Sequence, residues 1–148
     1  MSNIQLIKPG ASYAHARIIE GKPVTLGGVG SRNPQTNTVP GITRDEDGAV
    51  TGYDITVEFN QCVDNVRAIL AQLGLSLENL ADVQVFLTDI ADVPAFNTAW
   101  DAVFKGSPKL PTRTTREVSA LPTYGDTSIH IELTCTADMP LDHVPPEL

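Results

Sequence analysis

The sequence predicts an α+β sandwich, one sheet with two long helices on a single face. Three observations lead there. Two segments carry apolar residues at helical spacing, with an alternating segment between them. Two β-rich runs follow near the end, joined by a short turn signal at Pro122, Gly125 and Asp126. Two further extended runs precede the first helix. The predicted order is strand, strand, helix, strand, helix, strand, strand.

Taken in order, residues 1–10 read as a frayed start ending at Pro9-Gly10. Residues 13–20 read as a strand, Gly21-Lys22 as a tight turn and residues 23–26 as a second strand. Gly27, Gly28 and Gly30 then let the backbone approach a neighbouring chain or a ligand closely. Residues 31–54 shift to Asn, Pro, Thr, Gly and charge, a long loop with a small hairpin through Asp47-Gly48.

The first helix rests on Phe59, Cys62, Val63, Val66, Ile69, Leu70 and Leu73 along one face. Asp54 or Thr56 caps its start and Gly74 its end. Glu58, Asn60, Asp64, Arg67 and Gln72 are assigned to its wet face. Residues 76–79 suit a turn, and 81–87 alternate as a strand. Asp92 can cap the second helix, with Pro94 in its first turn and Phe96, Trp100, Val103 and Phe104 on its apolar side. Residues 105–108 stop it, and the two closing strands follow. Residues 139–148 hold three prolines and read as a tail lying on the surface or on another subunit. Val83 with Val85, and Phe86 beside Leu87, suggest apolar side chains in both directions from the sheet. Burial of its second face against other copies, in a closed ring, is therefore expected.

At 148 residues the chain suits one domain with a real core. A net charge of −8 disfavours nucleic acid as a partner, because phosphate binding calls for a basic surface. A small anionic substrate needs only one or two local cations. Cys62 and Cys135 lie far apart and read as reduced, buried thiols of a cytoplasmic protein. The first eight residues lack a charged leader with an apolar core, so no signal peptide is expected. No apolar run approaches membrane-spanning length. Gly28-Val29-Gly30 lacks the third glycine of a dinucleotide fingerprint. His15, His130 and His143 lack metal-ligand spacing, and no cofactor or metal is expected. His130 is read as structural, on the sheet face opposite Glu132.

Two closing-strand residues stand out. Arg113 is a cation in a β-branched segment just after a proline, and Glu132 is a carboxylate in an otherwise apolar, alternating run. Arg113 suits a carboxylate, which a guanidinium grips through two parallel hydrogen bonds. The bland alternative is a salt bridge. Glu132, if it points into a pocket, can carry a proton or activate water. Its bland alternative is a wet sheet face.

Tyr13, Gly28, the helix at 59–73, Val85-Phe86-Leu87-Thr88-Asp89, Phe96-Asn97, Pro111-Thr112-Arg113 and Ile131-Glu132, in that order and spacing, resemble the Rid (YjgF-like) family of enamine/imine deaminases. Gly30-Ser31-Arg32-Asn33-Pro34, the insertion after it and Pro111-Thr112-Arg113-Thr114-Thr115 look most like its 2-aminomuconate deaminases. A typical imine deaminase has a Ser-Gly-Gln turn and a Cys two residues after the arginine. This chain has Gly27-Gly28-Val29 and Thr115 there.

The resemblance implies a chorismate-mutase-like fold and a homotrimer with sites between subunits. It also implies cofactor-free hydrolysis of 2-aminomuconate, a small dicarboxylate enamine, with Arg113 and Glu132 as catalytic residues. By its place in the Pro111-Thr112-Arg113-Thr114-Thr115 motif, Thr115 is expected to belong to the substrate site. Tyr13 is expected to cover that site or donate from the adjacent subunit, and Gly28 to offer a backbone N–H. Arg32 is the second cation that a dicarboxylate needs; the alternative is a solvated loop arginine. A broader 2-enamine/2-imine acid deaminase and a non-catalytic trimer that binds small acids are the competing readings.

Overall fold

The computed structural model describes residues 3–147, so the reading of Met1, Ser2 and Leu148 lies outside the described residues. The central sheet contains β1 (Lys22–Gly30), β2 (Leu80–Leu87), β3 (Thr112–Glu117) and β4 (Ile131–Met139), in the order β1-β4-β2-β3. β4 runs antiparallel to both β1 and β2, whereas β3 lies parallel to β2. A parallel neighbour needs a crossover, and the second helix supplies it. Helices α1 (Ile55–Gln72) and α2 (Val93–Phe104) cover one face of the sheet, giving the expected α+β sandwich.

Alternation sets the core. Val83, Val85 and Leu87 of β2, with Ile131, Leu133, Cys135 and Ala137 of β4, are buried beneath the helices. Phe59 of α1 meets Phe96 of α2 edge to face, with centroids 5.2 Å apart, and Trp100 stacks on Phe104. The opposite face shows Asp82, Gln84, Phe86, Thr134 and Thr136, all half-buried. Val83 and Val85 therefore share the helix side, and Phe86 is the large apolar residue of β2 that faces away. The expected apolar second face is instead largely polar.

Asp54 caps α1, its carboxylate accepting from the backbone of Thr56 (2.9 Å) and Val57 (3.2 Å). Such a cap contributes about 1 kcal/mol. Gly74, at φ +70°, closes the other end in a conformation that favours glycine. Asp92 does not cap α2. The turn Ile90–Asp92 leads straight into that helix, and Asp92 already has helical angles (φ −75°, ψ −9°), where a cap residue would be extended. Its carboxylate accepts the Tyr53 hydroxyl instead, at 2.5 Å.

The start of the chain is not frayed where it is described. Asn3–Ile4 pairs with Ala16–Arg17, and the Gln5 amide donates to the carbonyls of Ala11 and Tyr13. The strand expected over 13–20 shrinks to Ala16–Arg17 and a bridge from Ala14 to Thr112. The hairpin around Gly48 forms, pairing Thr43–Arg44 with Val50–Gly52. The tail folds back on the end of α1, where the His143 imidazole Nε2–H donates to the Leu73 carbonyl (2.7 Å). Among the described residues no helix is long and apolar enough to cross a membrane.

Cys62 and Cys135 are both buried, and burial pushes their thiols up, Cys135 to about 12. The thiolate is the reactive form, so a thiol reagent at pH 8 is expected to find neither cysteine in the native protein and both after denaturation. Rapid native labelling at either position would contradict their burial.

Candidate active site

Arg113 extends from β3 beside Val83 of β2, so the register turns it toward the helices. Its guanidinium carbon lies 4.4 Å from the Tyr13 ring centroid and 5.1 Å from those of Phe96 and Trp100. Burial lowers its pKa, while Tyr13 and Asp101 act in the opposite sense. No carboxylate pairs with it among the described residues. A half-buried cation walled by aromatic rings and lacking a counterion is suited to an anionic ligand. The bland reading of Arg113 as a salt-bridge partner finds no support among these contacts.

Among the described residues, two polar atoms on this side of the sheet also lack partners. Thr115, two residues along β3 and on the same face as Arg113, has a buried hydroxyl with no hydrogen bond. Asn97 of α2, next in sequence to Phe96, has a buried amide oxygen in the same condition. An unpaired buried polar atom is costly and calls for an explanation. Asn97 entered the sequence reading only as part of a motif; an orphaned oxygen leaves no mark in a sequence.

Glu132 lies elsewhere. It pairs with Phe86 of β2 and Gly30 of β1, three residues out of phase with the Arg113 row, and so points to the opposite face. Gly27 and Gly28 bulge opposite Thr134, because Leu133 pairs with Val29 and Cys135 with Leu26. A Cβ on Gly28 would stand 2.9 Å from Glu132 Oε1. Glycine at 28 therefore gives the Glu132 carboxylate its room.

Arg32 follows the end of β1. It donates to the Asn37 side chain (2.8 Å), lies 5.1 Å from the Tyr124 ring centroid, and lines an open groove of about 300 Å³ with Gly28, Gly30 and Tyr124. β1 and β3 are the two edges of the sheet, separated by three strand spacings, about 14 Å. Arg32 and Arg113 therefore start from opposite edges of the sheet.

The chain thus carries two half-sites. Arg113, Tyr13 and Thr115 line the helix side, whereas Glu132, Gly28 and Arg32 gather toward the opposite face and the β1 edge. Tyr13 lies on the arginine of its own chain, the arrangement expected of a ring that covers the site. Within one chain Arg113 and Glu132 do not face each other.

The structure also contains a network that the sequence reading missed. Glu58, assigned to the wet face of α1, is fully buried. Its carboxylate accepts from the Ser31 hydroxyl (2.6 Å), the His130 backbone N–H (2.9 Å) and the His130 imidazole Nδ1 (2.7 Å). Strict alternation would put His130 on the face of Glu132, two residues on. His130 precedes β4, however, and its ring turns toward α1.

A family profile described as Endoribonuclease L-PSP matches residues 4–138. The chain belongs to the Rid (YjgF-like, L-PSP) family. The match to this Rid profile spans both half-sites. A RutC family protein from Sulfurisphaera tokodaii is 34% identical over 129 residues, covering 87% of this chain and 90% of that protein. The 2-iminobutanoate/2-iminopropanoate deaminase of Escherichia coli K12 is 31% identical over 101 residues, 68% of each chain. Among solved structures, the Rid protein YyfA of Yersinia pestis, described as of unknown function, superposes with a TM-score of 0.63 at 26% identity. It covers 93% of this chain and 94% of its own.

Proposed function

We propose that the protein is a cofactor-independent hydrolytic deaminase of 2-enamine and 2-imine acids, with 2-aminomuconate as its substrate. The observation that carries this reading is Arg113, a half-buried cation with no ion pair among the described residues, on the sheet face that also holds the orphaned Thr115 hydroxyl. A substrate carboxylate would supply the missing anion. The name of the Escherichia coli relative supports imine deamination in general. The family description names a ribonuclease, but a net charge of −8 works against phosphate-backbone binding here.

In this mechanism Arg113 takes the carboxylate beside the amino-bearing carbon and fixes its orientation. The enamine gains a proton on carbon and becomes an imine. Water then adds to the imine carbon, and ammonia leaves. Glu132 of a second copy, brought against Arg113 in a homotrimer, handles the water. Arg32 meets the distal carboxylate from that same second copy, which accounts for its place beside Gly28 rather than beside Arg113.

Ammonia release from freshly generated 2-aminomuconate and from 2-iminobutanoate tests the proposal. Thermal stabilisation by small carboxylates without ammonia release would mark a binding protein instead. Arg32→Ala is expected to lower kcat/KM for the dicarboxylate about 10- to 100-fold, the loss of one charge-assisted contact, and to leave the monocarboxylate nearly unaffected. Equal effects on the two substrates would remove Arg32 from the distal position.

A further inference from the structure

Arg113 stands unpaired although a carboxylate lies within its electrostatic reach. Burial disfavours the charged guanidinium, while Tyr13 and Asp101 favour it. Asp101 nevertheless makes no ion pair with Arg113 among the described residues. Its carboxylate is engaged elsewhere, because Oδ1 accepts the Ser12 hydroxyl. Ser12 is buried at 7% exposure, whereas Asp101 is exposed on α2. A hydroxyl bond to an ionised acceptor is charge-assisted and among the stronger kinds.

Distances place this bond at the wall of the Arg113 site. Tyr13 follows Ser12, and its ring centroid lies 4.4 Å from the guanidinium carbon. Trp100 precedes Asp101, and its centroid lies 5.1 Å from the same atom. The Trp100 indole N–H donates to the Ser12 carbonyl at 2.8 Å. Ser12 thus joins the two rings through its backbone and holds Asp101 through its side chain. Successive helix residues point about 100° apart, so Asp101 flanks the face that Trp100 turns toward Arg113. An exposed carboxylate beside an unpaired cation is drawn to it by Coulomb attraction. Here that carboxylate is tied to Ser12 instead.

We propose that Ser12 is a positioning residue of the Arg113 site: it holds the Asp101 carboxylate off the guanidinium and so leaves that fork free for the carboxylate of a small acid. This rests on the reading of Arg113 as a carboxylate anchor. Held at a distance, Asp101 offsets part of the desolvation of the empty cation. Out of contact, it does not fill the two parallel N–H positions that grip a ligand carboxylate. Released from Ser12, the same group becomes a competing anion within the chain. The bland alternative is a tether between the segment before Tyr13 and α2. A tether works as well with a neutral acceptor at position 101, and anion binding would not follow the charge there.

Calorimetric titration of the intact protein with muconate, a dicarboxylate with no amino group to lose, tests this apart from catalysis. Ser12→Ala keeps the backbone carbonyl that receives Trp100 and removes only the hydroxyl. The freed Asp101 should then pair with Arg113, and the Kd for muconate should rise about 3- to 10-fold. Asp101→Asn keeps an oxygen for Ser12 and removes the charge, so the Kd should fall about two- to fivefold. The double variant should bind at least as tightly as wild type. Wild-type affinity in Ser12→Ala would overturn the proposal. So would a loss that persists in the double variant, since it would then come from a disturbed wall and not from the charge. If Ser12→Ala does not fold, Asp101→Asn decides alone, and an unchanged or weaker affinity refutes the role. With 2-iminobutanoate, KM should follow the same pattern while kcat stays within about twofold. If the wild type releases no ammonia yet muconate binding follows the charge at 101, the deaminase reading fails and the role of Ser12 stands. No muconate binding by the wild type sinks that role whatever the turnover.

Discussion

Arg113→Ala is expected to lower kcat/KM about 10²- to 10⁴-fold for every 2-enamine or 2-imine acid the protein accepts, while the fold persists. The estimate follows from two charge-assisted hydrogen bonds to one carboxylate, each about 1.5–3 kcal/mol. Together they make about 3–6 kcal/mol, and each 1.36 kcal/mol is tenfold in rate. Partial burial between Tyr13, Phe96 and Trp100 thins the competing water and favours the upper half of that range. Alanine also removes the aliphatic stem that fills space against these rings, so thermal melting must accompany the kinetics. Arg113→Lys separates the two effects. It keeps the stem and the charge but not the planar fork, so it should restore stability and only part of the rate. A raised KM with unchanged kcat would limit Arg113 to binding. Full activity in Arg113→Ala would remove it from the reaction.

The layered fold was legible because its signals are local. The stripe from Phe59 to Leu70, Asp54 as a cap and Gly74 as a stop each depend on residues within a few positions. The alternation over residues 81–87 likewise marked β2 as a strand, although Val83 and Val85 were read as facing both ways and in fact share the helix side. What misled the reading depends on partners far along the chain. Glu58 looked solvated because its acceptor needs are met by Ser31 and His130, 27 and 72 residues away. Asp92 looked like a helix cap because its true partner, Tyr53, lies 39 residues back. Arg113 and Glu132 were both found as residues, yet their relative facing depends on the register of β3 on β2 and of β2 on β4. A one-residue slip reverses such a relation, and no single strand encodes it. The division into half-sites was accordingly invisible until the strands were aligned.

Glu58→Ala is expected to cost about 3–5 kcal/mol of stability, because it removes the one buried acceptor on which three donors converge. The bonds lost join three separate parts of the chain: Ser31 after β1, α1, and His130 before β4. Alanine strands the His130 backbone N–H and the Ser31 hydroxyl, each costing about 1–3 kcal/mol if it stays buried and unpaired. For a chain of this size that corresponds to a fall in Tm of about 6–20 °C. Denaturant unfolding should show the same loss with an unchanged slope. Glu58→Gln behaves differently on physical grounds. Its amide oxygen can still accept from Ser31 and from the His130 backbone, and its N–H₂ can donate to Nδ1 once the ring changes tautomer. Stability should then return to within about 1–2 kcal/mol of wild type, because every buried group again has a partner. Glutamine that fails to restore stability would show that the network needs the negative charge itself and not only its hydrogen bonds. If alanine leaves stability unchanged, the network does not hold the fold together.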